Sequence, residues 1–365
     1  MHSFVIKYKN ILYVVLGICL FQGIISDYLG FRQVNYLCDV LLVLLLVVML
    51  CRKQVKLNKT TNNIEYISIL AFAIVALIGW GLNTVRLPSA LWGLRNYGRF
   101  FLFFLLGRSL WNGEDVETME NFFMKIFPIH MILIAFQYVV EGLNQDFLSG
   151  LFGKTAGGNG GLMIYLSVIM CIVICQFEYK KISTKKFVCY LLLIFVNAAL
   201  SELKFLFVLA SLLVVWYLAM SKRKGRGMIL ALFFVIALYV GMQIFYYVFP
   251  FWANYLSFDN IMTMISDQET YANQIDVGRT AVFSKLTPVI TKWAGQHAVW
   301  FGIGLGNGDY SDAIPMLNSA FYTVYGIMHY TWLSLGYLFV EVGYLGTIVY
   351  ISFFVILEIK AIVAY

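Results

Sequence analysis

Long apolar runs separated by short polar links fill the chain from Ile11 to about Phe249. They cover roughly 11–26, 35–51, 65–82, 97–111, 122–140, 161–177, 187–201, 204–220 and 228–249, with one more at 331–357. Crossing a bilayer core takes about 20 apolar residues in a helix, so each run predicts a spanning helix. The last is long enough for one tilted helix, or for a half-helix followed by a full one. The expectation is an all-α, polytopic membrane bundle of ten or eleven spans. The pattern breaks once. Residues 251–326 mix acids, bases, glycines and aromatics without a clean span. The chain therefore divides on sequence into a helical bundle (1–250), a large extramembrane segment with short helices (251–326) and C-terminal spans (327–365).

Composition agrees with the pattern. Hydrophobic residues make up 61% of the 365 and charged residues 12%, where a soluble domain carries about 25% charge; mean hydropathy is +0.80. The first run lacks a small-residue cleavage site and further spans follow at once. It reads as an anchor rather than a cleaved leader. Sixteen Lys and Arg fall on one set of alternate links and nine on the other. By the positive-inside rule, the N-terminus is cytoplasmic and residues 251–326 face outward. The net charge of +7 then reflects cytoplasmic anchoring, not a nucleic-acid surface. The outward segment holds six acids against Arg279, Lys285 and Lys292, so it is no groove for an anionic polymer.

Charge at an outward span end needs a reason, because an ionised group in hydrocarbon costs about 2.5–3.5 kcal/mol or more. Three clusters qualify. Arg95 and Arg99, four apart, share a helix face, with Arg86 upstream. They either bind an anion through their planar forks or snorkel or pair structurally, the commoner outcome. Glu202 and Lys204 lie between two apolar runs with almost no loop. They either pair and make the turn polar or point into a bundle cavity. Arg279 is either paired with an aspartate such as Asp276 or reserved for one anion.

Other motifs carry less. GIGLGNG (Gly302 to Gly308) lacks the strand, helix and distal acid of a dinucleotide fingerprint. Its glycines read as a loop whose backbone approaches a ligand or a neighbouring helix closely. His130, in an apolar run without a visible partner, reads as a packed core histidine. The cysteines sit in the runs or at their ends and offer no disulfide framework and no outward metal set. No cofactor and no metal site is expected.

Five pieces together resemble the O-antigen polymerase and ligase family, bacterial membrane glycosyltransferases that use polyprenyl-diphosphate-linked glycans. GKTAGGNGGLMIYL resembles that family's Gly-Asn-rich span entry, with Asn159 at the matching position. LSELKFLFVLASLLV resembles its serine-plus-basic motif, with Lys204 where Arg is usual. GRTAVF matches the family arginine with Arg279, and FGIGLGNG the Gly-rich segment that follows. HYTWLSLGYLFVEVGYLG resembles the His-Asn-x-Tyr-Leu ending, with His329 matching the histidine and Tyr330 in place of Asn. The resemblance covers nearly the whole span layout. It implies a GT-C-like fold, further spans beyond Tyr365 and a place in the bacterial cytoplasmic membrane with the site facing outward.

What it implies chemically is transfer of a lipid-linked oligosaccharide onto an acceptor sugar, without a metal. Arg279 and Lys204 would neutralise the leaving diphosphate. His329 would be the base, with Glu341 and Asp276 as weaker candidates. Arg95, Arg99, Glu202, Asn159 and Asp276 would line the substrate site. Outward aromatics such as Trp293, Trp300, Tyr310, Tyr322 and Tyr325 either stack on sugars or form an interfacial belt, the belt being favoured. The partners implied are the polyprenyl-diphosphate donor, a glycan acceptor, membrane lipid and a chain-length regulator, with no nucleic acid. Polymerase is the first expectation. A ligase serving another acceptor and a lipid-linked glycan flippase are the alternatives, although no internal repeat of the transporter kind is visible.

Overall fold

The computed structural model describes residues 8–31, 33–51, 64–155, 157–220, 224–250, 275–311 and 314–364. Trp252, Tyr255 and the acids Asp259, Asp267, Glu269 and Asp312 lie outside them, as does the Asn58-Lys59-Thr60 stretch, which has the form of a glycosylation sequon but falls on a link the charge count makes cytoplasmic. Among the described residues there is no strand. A helix covers every predicted run: α1 (Tyr8–Asp27), α2 (Val34–Cys51), α3 (Ile64–Leu82), α4 (Leu87–Leu110), α5 (Gly113–Val139), α6 (Gly158–Glu178), α7 (Thr184–Leu200), α8 (Lys204–Met220) and α9 (Lys224–Val248). The segment after these contains α10 (Val282–Ala294), α11 (Gln296–Phe301) and α12 (Ala320–Tyr325), and α13 (Ser334–Ala364) ends the series.

Among the described residues six helices are long and apolar enough to cross a membrane: α1, α3, α5, α6, α9 over Ala231–Val248, and α13 over Ser334–Val363. Tyr36–Cys51 and Lys204–Leu218 are apolar but shorter. This is a helical membrane protein. Helices suit that solvent because each satisfies its own backbone hydrogen bonds.

The fold forms two compact units that cut across the three sequence segments. Unit 1 is Met1–Arg52 with Gly107–Ser257, and unit 2 is Lys53–Leu106 with Phe258–Tyr365. Helices α3 and α4 thus belong with the chain's end, not with the other early helices.

In unit 1 the core is built from α5 to α9, with Phe127, Ile169, Phe195, Ala198, Leu206 and Phe245 fully buried. Lipid is as apolar as leucine, so close fit drives helix pairing. Gly241 of α9 shows it: a Cβ there would stand 2.8 Å from Cβ of Phe195. Helix α5 starts on a reciprocal cap, in which the Asn112 side chain accepts from Asp115 N–H and Asp115 accepts from Asn112 N–H, both at 3.0 Å. Lys9 adds an ion pair to Asp115 at 2.6 Å.

His130 is buried, as expected, but it has partners. The Leu151 N–H donates to Nδ1 at 3.4 Å, and the Asn197 side-chain amide meets Nε2 at 2.8 Å. Neighbouring Gln137 bonds both backbone groups of Gly150. These polar groups fasten the 141–155 connection onto the bundle, because a buried polar atom without a partner is costly. Outside the core, the Lys154 ammonium lies 4.5 Å over the Tyr28 ring, and the Tyr28 hydroxyl donates to Glu141 at 2.6 Å.

In unit 2, α10 turns Val282, Leu286 and Ile290 inward at four-residue spacing, one stripe of an amphipathic helix. They join Ile303, Phe321, Tyr330 and Phe339 in one core. A second cluster sets Phe72, Phe101, Leu338, Val342 and Phe353 together. Helix α13 is broken at Gly343 (φ 64°, ψ −166°), so the half-helix-plus-helix alternative describes it. A side chain there would run into the backbone of Trp300 and Gly302.

Helix α4 begins ten residues before its apolar run. Pro88 occupies its first turn, where a missing N–H costs nothing. Arg95 and Arg99 therefore stand within the helix.

Candidate active site

The Gly-rich segment is the frame of unit 2. It lies between α4 and the first half of α13, and its glycines permit backbone-to-backbone approach. A Cβ on Gly302 would strike the carbonyl of Glu341, and one on Gly306 the carbonyl of Ser89. Both also have positive φ, at 74° and 75°, which only glycine adopts cheaply. The expected close approach is thus to neighbouring helices.

Glu341 grips this loop. Its Oε1 accepts the N–H of Gly306 at 2.8 Å and that of Gly308 at 3.3 Å. The residue is completely buried, so it is out of reach of a substrate hydroxyl. Glu341 is corrected from candidate base to loop clamp.

Tyr330, which stands where the resembled family has Asn, is a second clamp. Its hydroxyl donates to the Gly308 carbonyl at 2.6 Å. Burial, then the negative field of Glu341, pushes this phenol far above its ordinary range, so it remains a donor. Asp309, next along, accepts from Trp92 Nε1 at 2.8 Å and from Asn96 Nδ2 at 2.9 Å.

This framework delivers a turn that carries His329. The turn is strained, with His329 at φ 50° and ψ 28°, an uncommon region for a residue with a Cβ. It is held by Val277 N–H donating to the Met328 carbonyl at 3.0 Å. That bond lays residues 275–281 beside the turn and brings in Asp276. His329 Nδ1 stands 2.7 Å from Asp276 Oδ1. A carboxylate only accepts, so Nδ1 of the neutral ring carries the hydrogen and Nε2 is left as the acceptor. Lys285 Nζ holds the Asp276 backbone carbonyl at 2.7 Å. On one face the imidazole stacks on Trp332, with centroids 3.8 Å apart and planes 18° apart.

Arg279 follows three residues after Asp276. It is exposed and has no ion pair or hydrogen bond among the described residues. Asp276 is engaged by His329, so of the two sequence expectations for Arg279 the pairing with Asp276 is not the one found. The turn thus presents an acceptor nitrogen oriented by a carboxylate, with an unpaired guanidinium on the same loop as that carboxylate. Such a set can take a proton from a hydroxyl and stabilise an anion.

The other expected residues are elsewhere or occupied. Arg95, also in unit 2, lies 4.6 Å over the Trp92 ring and donates to Asn96 Oδ1 at 3.3 Å, so structural pairing describes it. Arg99 is exposed, without an ion pair among the described residues. In unit 1, Lys204 and Glu202 pair with each other at 2.9 Å across the α7–α8 turn. Asn159 donates to Asp146 near the start of α6.

Tyr310 and Tyr322 stack at 4.8 Å, and Trp293 packs edge-on against Phe321 and Tyr325. Their rings thus pack at least partly on one another. Trp332 escaped sequence reasoning, although its place three residues after His329, in a tight turn, was the available signal. Among the described residues no group of three or more His, Cys, Asp or Glu gathers as metal ligands do.

No family model, curated protein or solved structure matches this chain.

Proposed function

We propose that this chain is a membrane glycosyltransferase that joins polyprenyl-diphosphate-linked repeat units into a polysaccharide at the outer face of the bacterial cytoplasmic membrane. The observation that carries the proposal is the Asp276–His329 pair with its free Nε2, together with Arg279, three residues on from Asp276 and without an ion pair or hydrogen bond among the described residues. The acceptor hydroxyl attacks the anomeric carbon of the donor, and its proton passes to His329 Nε2. Asp276 keeps the imidazole in the accepting tautomer and stabilises the imidazolium that forms. The bond from the anomeric carbon to the diphosphate oxygen breaks, and Arg279 takes up the charge that grows there. In this reading ten or eleven helices span the bilayer in a GT-C-like arrangement, with the N-terminus cytoplasmic.

Glycan chains made in membranes and resolved on a gel test the proposal. At matched expression, the wild type is expected to give a ladder, and Arg279→Ala and His329→Ala to collapse it to single repeats. A wild type that makes no ladder but moves an intact glycan to another acceptor would make the protein a ligase. Full activity in both variants would remove the site and reopen the glycan flippase alternative.

A further inference from the structure

Trp332 stands out among the aromatics of unit 2. It is 72% exposed, although one face of its ring is covered by His329 at 3.8 Å. The opposite face is therefore open. Its indole N–H has no hydrogen-bond partner among the described residues. It also sits on a fixed base, because its backbone N–H donates to the His329 carbonyl at 3.0 Å. A tryptophan packed against an apolar core offers neither an open ring face nor a free donor. This one offers both, beside the imidazole nitrogen that Asp276 leaves open.

We infer that Trp332 is the acceptor-binding platform, holding a pyranose ring of the growing glycan against its open face. The inference rests on the proposed transferase reading for which substrate is held, but the platform itself rests on the stack and the exposure. A pyranose is amphipathic. Its axial C–H bonds make an apolar face that suits an indole, and its rim of hydroxyls suits a donor such as Nε1–H. Because Trp332 and His329 lie face to face, a sugar resting near the edge of the indole brings a ring hydroxyl towards the plane of the imidazole, where Nε2 accepts. The diphosphate of the donor needs cations, and Trp332 supplies none. The platform therefore serves the acceptor, and Arg279 the donor. Trp332 is a positioning residue in this account: it makes and breaks no bond.

The test uses the full chain in lipid nanodiscs, with the host's lipid-linked repeat unit as donor and the same repeat unit released by mild acid as acceptor. Trp332→Ala is expected to raise the acceptor KM about tenfold or more while kcat stays within about threefold and the donor KM is unchanged. Trp332→Tyr, which keeps a ring on His329, is expected to recover most of the loss. Binding of the released oligosaccharide, followed without donor by isothermal titration calorimetry, separates the platform from the catalytic reading. If His329→Ala binds it and Trp332→Ala does not, the platform stands even should the wild type prove unable to polymerise. If the wild type polymerises and Trp332→Ala has an unchanged acceptor KM, the platform falls while the catalytic reading survives. A fall in kcat alone, with KM constant, would also overturn it, since Trp332 would then only support the imidazole.

Discussion

Two cations of this chain look alike in sequence and differ in structure. Lys204, in unit 1, and Arg279, in unit 2, each stand near an acid at the edge of an apolar run. Lys204 pairs with Glu202 two residues away, within a tight turn in which Glu202 has φ 55°. Arg279 has Asp276 three residues away, yet that carboxylate faces His329, 53 residues further on. Local proximity settles the first pair. In the second, tertiary structure diverts the acid and leaves the arginine open. A cation matched by a neighbour holds a turn together, whereas one left unmatched on a rigid loop can meet a ligand.

The sharpest way to break this contrast is substitution at both places. Removing a preorganised charge donor from a reaction centre costs about 10²–10³ in rate. Arg279→Ala is expected to lower polymer formation by about that factor in a membrane assay, and Arg279→Lys, with charge but no fork, to recover part of it. Replacing Glu202 and Lys204 together by Gln and Met should leave the rate within about threefold. A large loss there would show that Lys204 serves the substrate after all.

Next in size is Asp276→Asn. It leaves the shape but makes the tautomer ambiguous, and a drop of about 10²-fold in kcat with little change in KM is expected from single-turnover kinetics. If His329→Ala and the double variant fall by the same factor, the two residues act as one unit.

The Gly-rich frame gives a stability effect. Glu341→Ala strands two buried N–H groups and should cost about 2–4 kcal/mol, visible as a lower midpoint in thermal unfolding. Glu341→Gln keeps an acceptor and should cost less.

The smallest expected effect lies in unit 1. Burial and the hydrogen bond to Glu141 push the Tyr28 phenol up to about 12. Its protonated form is favoured by the fold, so its contribution is complete below about pH 10 and fades as pH rises through 12. Tyr28→Phe should slightly lower the unfolding midpoint at pH 8 and flatten that alkaline dependence.

The contrast also explains what was legible in the sequence. Apolar runs marked the helices because hydrophobicity is written locally, and α4 and α5 began well ahead of theirs. Glycines 302 to 308 announced a close approach, although not what they approached. The engagement of Asp276 by His329 was invisible, because no periodicity links residues 53 apart. Glu341 was misread for the same reason. A lone acid in an apolar run looks available for chemistry until its partners, 33 and 35 residues back in the chain, come into place. Trp332 was passed over because exposure cannot be seen in a sequence, and aromatic residues near span ends are expected in any case.

The approach of Gly302 and Gly343 has a consequence for how such a chain can change over time. Here two stretches of main chain touch with no side chain between them. Most contacts can drift by exchanging one pair of side chains for another of the same combined size, but this one has nothing to exchange. Substitution at either glycine alone is blocked, and substitution at both worsens the collision. Any descendant that lost one would have to move the loop, and with it the backbone next to Glu341. The glycines at 302 and 343 should therefore persist together or disappear together.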